Sequence, residues 1–177
     1  MIFLNAPRLA LLAMDLDLAR LQASSRTAFF NAIAVVHAPT WPPEPFGDQA
    51  IQWMLDNLSC DPEGEGWYGW VLLANEGEHA PPLIIGGAGL IGRPDEDGDV
   101  ELAIAVRPEF SGRDYERSAV KALAQWALAN GAKRVLTHFD SEQESAARLF
   151  MESGFLDTCD PPYPGVARWA LSASVEA

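Results

Sequence analysis

A mixed α/β (α+β) layer, in which a mostly antiparallel sheet is flanked by helices, is the fold class this 177-residue sequence predicts. Three patterns predict it. Val100, Leu102, Ile104 and Val106 alternate with Glu101, Ala103, Ala105 and Arg107, the two-residue period of a strand with unlike faces. Tyr115, Ala119, Leu123, Trp126 and Ala127 keep a helical stripe as far as an Asn130-Gly131 stop. Residues 66–73 and 83–91 are rich in aromatic and β-branched side chains, and the stretch between them, 75–82, is full of turn-formers and charge, as in an antiparallel hairpin.

The remaining elements follow in chain order. Residues 8–14 are an apolar run of strand length, and Asp15 then supplies a helix N-cap before Leu18, Leu21 and Ala23. Four prolines and Trp41 between His37 and Pro45 break helices and suit a surface loop. Ala50, Ile51, Met54 and Leu58 restore helical spacing over residues 46–58. Beyond the hairpin and the acidic turn 93–98, the alternating strand ends at Pro108 and the long helix follows. Residues 134–139 read as a strand and 143–153 as a helix with Ala146, Leu149 and Phe150 inward, ended by Gly154 in a left-handed cap. A last strand lies near 166–171. The expected order is strand, two helices, three strands, helix, strand, helix, strand, in one domain spanning residues 1–177 and large enough for one core.

Composition excludes several function classes. A formal net charge of −13, with no local Lys/Arg cluster against it, repels nucleic-acid phosphates and anionic membranes. No apolar stretch approaches membrane-spanning length and the first twelve residues lack the features of a secretory leader, so a cytoplasmic protein is expected. Cys60 and Cys159 match no ligand spacing and read as buried thiols; with His37, His79 and His138 scattered, no metal is expected.

The stretch with chemistry in it runs from the alternating strand through Arg107-Pro108-Glu109-Phe110 and Ser111-Gly112-Arg113 into a helix. A helix start exposes unpartnered N–H groups and a positive dipole end, a ready site for phosphate. This strand, Pro, acidic residue, Gly-containing turn and helix resemble the GCN5-related N-acetyltransferase (GNAT) family. The likeness extends to Gly154-Phe155, to Ala6-Pro7-Arg8-Leu9, which is similar to the opening of the branch that includes the ribosomal-protein N-terminal acetyltransferases, and to the central hairpin.

The resemblance implies an acyl-CoA N-acyltransferase fold and transfer of an acetyl group from acetyl-CoA, as co-substrate, to a primary amine. It implies that Ile104, Ala105 and Val106 offer backbone groups to the pantetheine arm. Ser111, Gly112, Arg113, Asp114, Tyr115 and Glu116 would wrap the pyrophosphate, while Gln143 and Phe150 occupy the family's Asn and Tyr places in the next helix. Ser111, Asp114 and Glu116 depart from the family's Arg/Gln-x-x-Gly-x-Gly/Ala turn. Two carboxylates stand where phosphate is expected, and Ser111 with Asp114 approximates a capping box that suits an empty helix start. Arg113 and Arg117 are the cations able to compensate. Phe150 has no proton to give a leaving thiolate.

The amine needs a base, and Glu101, on the face it shares with Ala103 and Ala105, is the first candidate, with His138 and Asp140 next. Phe29, Phe30, Trp41 and Trp53 are the expected aromatic walls of an acceptor site, and with the acidic charge they suit a small cationic amine or a peptide N-terminus. Two readings of other classes stand beside this one. One is a degenerate family member that binds acetyl-CoA weakly or not at all and acts as a protein-interaction module. The other is a homodimer joined through exposed aromatics including Trp67 and Trp70.

Overall fold

From its first residues the chain lays down strands and helices whose apolar faces sort to two sides of one sheet. The computed structural model describes residues 1–74 and 81–173; most of the expected hairpin turn at 75–82 lies outside the described residues. The elements are β1 (Phe3–Ala6), β2 (Leu9–Ala13), α1 (Leu16–Ser24), α2 (Arg26–Ala32), α3 (Asp48–Cys60), β3 (Trp70–Ala74), β4 (Leu83–Leu90), β5 (Asp99–Val106), α4 (Tyr115–Ala129), β6 (Arg134–Asp140), α5 (Glu144–Glu152), β7 (Leu156–Asp157) and β8 (Val166–Ser172). The strands form one sheet in the order β1-β2-β3-β4-β5-β6-β8-β7, antiparallel throughout except for the parallel pair β5 and β6.

Alternation divides the core. Leu9, Leu11, Trp70, Leu72, Ile85, Val100 and Leu102 turn to one face and pack with the α4 stripe of Tyr115, Ala119, Leu123 and Ala127. Leu12, Val71, Leu73 and Ile84 turn to the other, against Leu18 and Ala19 of α1, Phe29 and Phe30 of α2 and Met54 and Leu58 of α3. Burial at about 1.5–3 kcal/mol for each large apolar side chain makes both faces obligatory. Glu101, between Val100 and Leu102, therefore belongs to the α1–α3 side.

The described fold differs from the sequence reading at four places. β1 and β7 were not expected, being edge strands of four and two residues with little burial. The first expected helix is two, because Ser25 is extended (φ −156°) and its hydroxyl accepts the Ala28 N–H, ending α1 and capping α2. Trp67 and Trp70 are buried, packed tilted and edge-on against Trp126 at centroid distances of 4.9 and 5.3 Å, so they form core and not a dimer face. Cys60 and Cys159 are exposed and not buried thiols.

Asp15 caps α1 as expected, its carboxylate accepting the Leu18 N–H at 2.9 Å. Gly154 takes the left-handed conformation (φ +95°) after α5. At Gly86 a side chain is barred by close approach: a Cβ there would lie 2.4 Å from the Ala105 carbonyl oxygen and 2.9 Å from Val106 Cα. β4 can therefore lie tight against the end of β5, beside a register shift opposite Leu72 and Leu73.

Candidate active site

The parallel pair β5 and β6 is short. Pairing runs Asp99↔Arg134, Val100↔Val135 and Glu101↔Leu136 and stops. β5 continues to Val106 with β4 on one side, whereas β6 continues to Asp140 paired with β8. From Leu102 to Val106 the edge of β5 turned to β6 has no strand partner among the described residues. Alternate residues along it still carry an N–H and a C=O that need partners. The gap is a cleft of about 720 Å³ through the sheet. Glu101 and His138 line it from the α1–α3 side, Gly112, Asp114, Glu116 and Arg117 at the start of α4, and Gln143, the N-cap residue of α5, and Phe150 within that helix from the other.

The α4 end exposes backbone donors able to hold an anion. Gly112 (φ +75°) and Asp114 (φ +63°) are left-handed, which turns the chain from the short 3₁₀ turn Pro108–Phe110 into the helix. Glycine adopts this at no steric cost, and Asp tolerates it better than most residues. The N–H groups of Tyr115, Glu116 and Arg117 precede the first intrahelical bond, from the Ser118 N–H to the Asp114 carbonyl. The expected capping box is not formed: Asp114 makes no side-chain cap bond, and Ser111 Oγ donates to Glu116 at 3.4 Å. Asp114 is held instead by Arg117 at 3.0 Å, and Arg117 also reaches Glu152 at 2.9 Å. One of the two suspect carboxylates thus carries its own counter-ion. Arg113 lies over the Phe110 ring at 5.3 Å. The Tyr115 side chain is buried under α4, so only its backbone is offered at the turn. An extended ligand that hydrogen-bonds along a strand and ends in a diphosphate fits this cleft.

At the opposite end, sequence reasoning named Glu101 and His138 separately and the fold joins them. His138 Nδ1 is 3.0 Å from Glu101 Oε1. Arg168 Nε, from β8, donates to His138 Nε2 at 3.0 Å and Arg168 also pairs with Asp160 at 3.0 Å. A guanidinium only donates, so Nε2 accepts and the ring hydrogen sits on Nδ1, donating to the carboxylate. His138 is thereby hydrogen-bonded through both ring nitrogens. Asp140, at the far end of β6, accepts the Glu142 N–H.

Arg107 was not singled out from the sequence. Its buried guanidinium bonds Thr40 Oγ1 at 2.7 Å, the Ile84 carbonyl at 2.5 Å and Glu109 at 2.6 Å, and Thr40 bonds the same Glu109 oxygen at 2.9 Å. The proline loop is tied through it to the end of β5. Its own backbone N–H, then Thr40 and Arg107, hold the Glu109 carboxyl below its usual range. The Arg-Pro-Glu run was the available signal.

A second cavity, of about 350 Å³, meets the cleft at Pro45 and Ala103, which line both. Of the expected aromatic walls, Trp41 and Trp53 line it, whereas Phe29 and Phe30 are buried beneath, Phe29 stacked on Trp41 at 6.3 Å. Tyr68 completes the wall, its hydroxyl donating to Asp61 at 2.9 Å. Burial first, then Asp61, pushes that phenol above its usual pKa, so the wall is uncharged.

Residues 8–156 match the family model described as Acetyltransferase (GNAT) domain. An uncharacterized N-acetyltransferase of Bacillus subtilis, YjdG, is 22% identical over 157 residues, covering 88% of this chain and 90% of that protein. A ribosomal-protein-S5-alanine acetyltransferase from Vibrio fischeri has the same fold at a TM-score of 0.64 and 14% identity, covering 99% of this chain and 98% of that one. A spermidine N-acetyltransferase from Vibrio cholerae, solved with CoA and spermine, superposes at a TM-score of 0.61 and 18% identity, over 93% and 95% of the two chains.

Proposed function

This chain belongs to the acetyltransferase (GNAT) domain family, and from that premise we propose that it transfers an acetyl group from acetyl-CoA to a primary amine by direct attack of the amine on the thioester. The observation that carries the reading is the cleft itself. A strand edge with no strand partner among the described residues runs from the left-handed turn at Gly112 to the Glu101–His138 pair, with helix-start N–H groups at one end and a carboxylate at the other.

The residues take these roles. Ile104, Ala105 and Val106 bond the pantetheine arm as a partner strand would, and the N–H groups from Gly112 to Glu116 receive the diphosphate. A strand N–H near Ile104 polarises the thioester carbonyl. Glu101 removes a proton from the incoming ammonium, and His138 orients the carboxylate and spreads its charge. The amine nitrogen forms a bond to the acetyl carbon and sheds its second proton to solvent, the carbon–sulfur bond breaks, and the thiolate takes a proton from solvent because Phe150 has none. The left-handed turn at Gly112 and Asp114 and the Arg117–Asp114 pair favour this over a protein-interaction module without acetyl-CoA.

Two measurements test it. Millimolar acetyl-CoA should raise the melting temperature by mass action; no shift, together with no heat of binding, would leave the module. In an acceptor screen read by release of free thiol, Glu101→Gln should lower kcat/KM by about 10²-fold or more at neutral pH, the usual size of a lost general base. Near-normal turnover would remove Glu101 from that role.

A further inference from the structure

The cavity beside the cleft is walled by Trp41, Phe46, Ile51, Trp53, Met54 and Tyr68 and floored by Gly87, Gly89 and Ala103. No Asp, Glu, Lys, Arg or His lines it among the described residues, and its tyrosine hydroxyl is already turned to Asp61. The overall charge of −13 is thus spent elsewhere on the chain. Such a site is paired in the fold with a base at its mouth. Ala103 is two residues from Glu101 on the same face of β5, about 7 Å along the strand, and it lines both spaces.

Resting on the acetyl-transfer reading above, we propose that the acceptor is a primary amine carried on an apolar body of aromatic-ring size, attached two or three bonds from the nitrogen, and not a polyamine. The body fills the cavity and the nitrogen emerges past Ala103 onto Glu101. A second ammonium placed in the cavity would be stripped of water with no counter-ion, whereas each methylene buried there gains transfer free energy worth about fourfold in an equilibrium or rate ratio. Gly87 shows the limit of space: a Cβ there would touch the Phe46 ring at 3.4 Å and Trp41 at 3.7 Å. A larger side chain at that position would occupy the floor.

The experiment is a kcat/KM series with n-propylamine through n-hexylamine, 2-phenylethylamine and spermidine, beside peptides beginning in Phe or Gly. Values should climb about fourfold per methylene until the cavity is full, with 2-phenylethylamine at least tenfold above spermidine. Gly87→Val and Ala50→Phe, which narrow the cavity from opposite walls, should flatten the series. A flat series in the unmodified protein, or spermidine as the better substrate, overturns the proposal while leaving acetyl transfer intact. A Phe-peptide outrunning 2-phenylethylamine supports it and assigns the apolar body to a chain terminus. Should acetyl-CoA fail to bind at all, calorimetry with 2-phenylethylamine alone decides. Binding that Gly87→Val weakens tenfold sustains the cavity's specificity, and no binding ends it.

Discussion

The cleft between β5 and β6 and the cavity beneath α3 touch at Ala103 and are built in opposite ways. The cleft is made of backbone: a strand edge without a partner and a helix start without acceptors. Almost any side chain leaves those N–H and C=O groups in place, so Ser111, Asp114 and Glu116 can replace the family's usual turn residues while the shape persists. The cavity is made of side chains brought from the proline loop, α3, β3, β4 and β5. A change of one of them changes what fits. Shared chemistry is thus held in main chain, and what is particular to this chain is held in its walls.

Arg107→Met should blur that division most, because one guanidinium holds the proline loop over the cavity and the end of β5 beside the cleft. Losing its charge-assisted bonds should cost about 2–3 kcal/mol of stability and weaken both acetyl-CoA and amine binding. Denaturant unfolding and calorimetry would show it, and an effect on one ligand only would mean that the loop is held by something else.

Arg117→Gln sharpens the contrast by touching the cleft alone. It releases Asp114, and Glu152 with it, and leaves the Asp114 carboxylate uncompensated at the α4 turn. At roughly 6 Å and an effective dielectric of 20 to 80, that opposes each phosphate charge by about 1–3 kcal/mol, so acetyl-CoA affinity should fall about tenfold. Asp114→Gly in the same background should restore it, since glycine keeps the left-handed turn and removes the charge. Binding unchanged in both variants would place the diphosphate elsewhere.

The smallest effect belongs to the outer wall of the cavity. Arg93, followed by Tyr68, holds the Asp61 carboxyl below its usual value of 3.8 against the opposing effect of burial, with Arg93 bonded at 2.6 and 3.0 Å. A carboxyl with a depressed folded pKa binds fewer protons folded than unfolded, so its contribution is complete above about pH 4 and is lost as pH falls through the depressed value. Asp61→Asn should therefore be less stable by a constant amount from pH 5 to 8, and the gap to the parent should close below pH 4. A gap that persists in acid would mean that the pair contributes through packing.

Legibility from sequence tracked the same contrast. The α4 stripe, the β5 alternation and the Pro-Glu-Phe-Ser-Gly turn are contiguous and periodic, so the elements of the cleft could be read in order. Glu101 and His138 could each be picked as a strand residue with a titratable group, but their 3.0 Å contact crosses 37 residues of chain and depends on parallel pairing that no local pattern encodes. The Ser24-Ser25 break was a readable N-cap that the apolar spacing outweighed, and β1 and β7 are too short to have a period.

By itself the sequence determined most of the elements, the family and the turn ahead of α4, because hydrogen-bonding period and backbone conformation are local properties of a chain. Tertiary structure alone decided which surfaces are apolar. Trp67 and Trp70 went inside around Trp126, Arg117 of α4 met Glu152 of α5, and an acidic protein acquired an uncharged cavity. Net charge is a sum over the whole chain, whereas recognition depends on the few atoms that folding sets side by side.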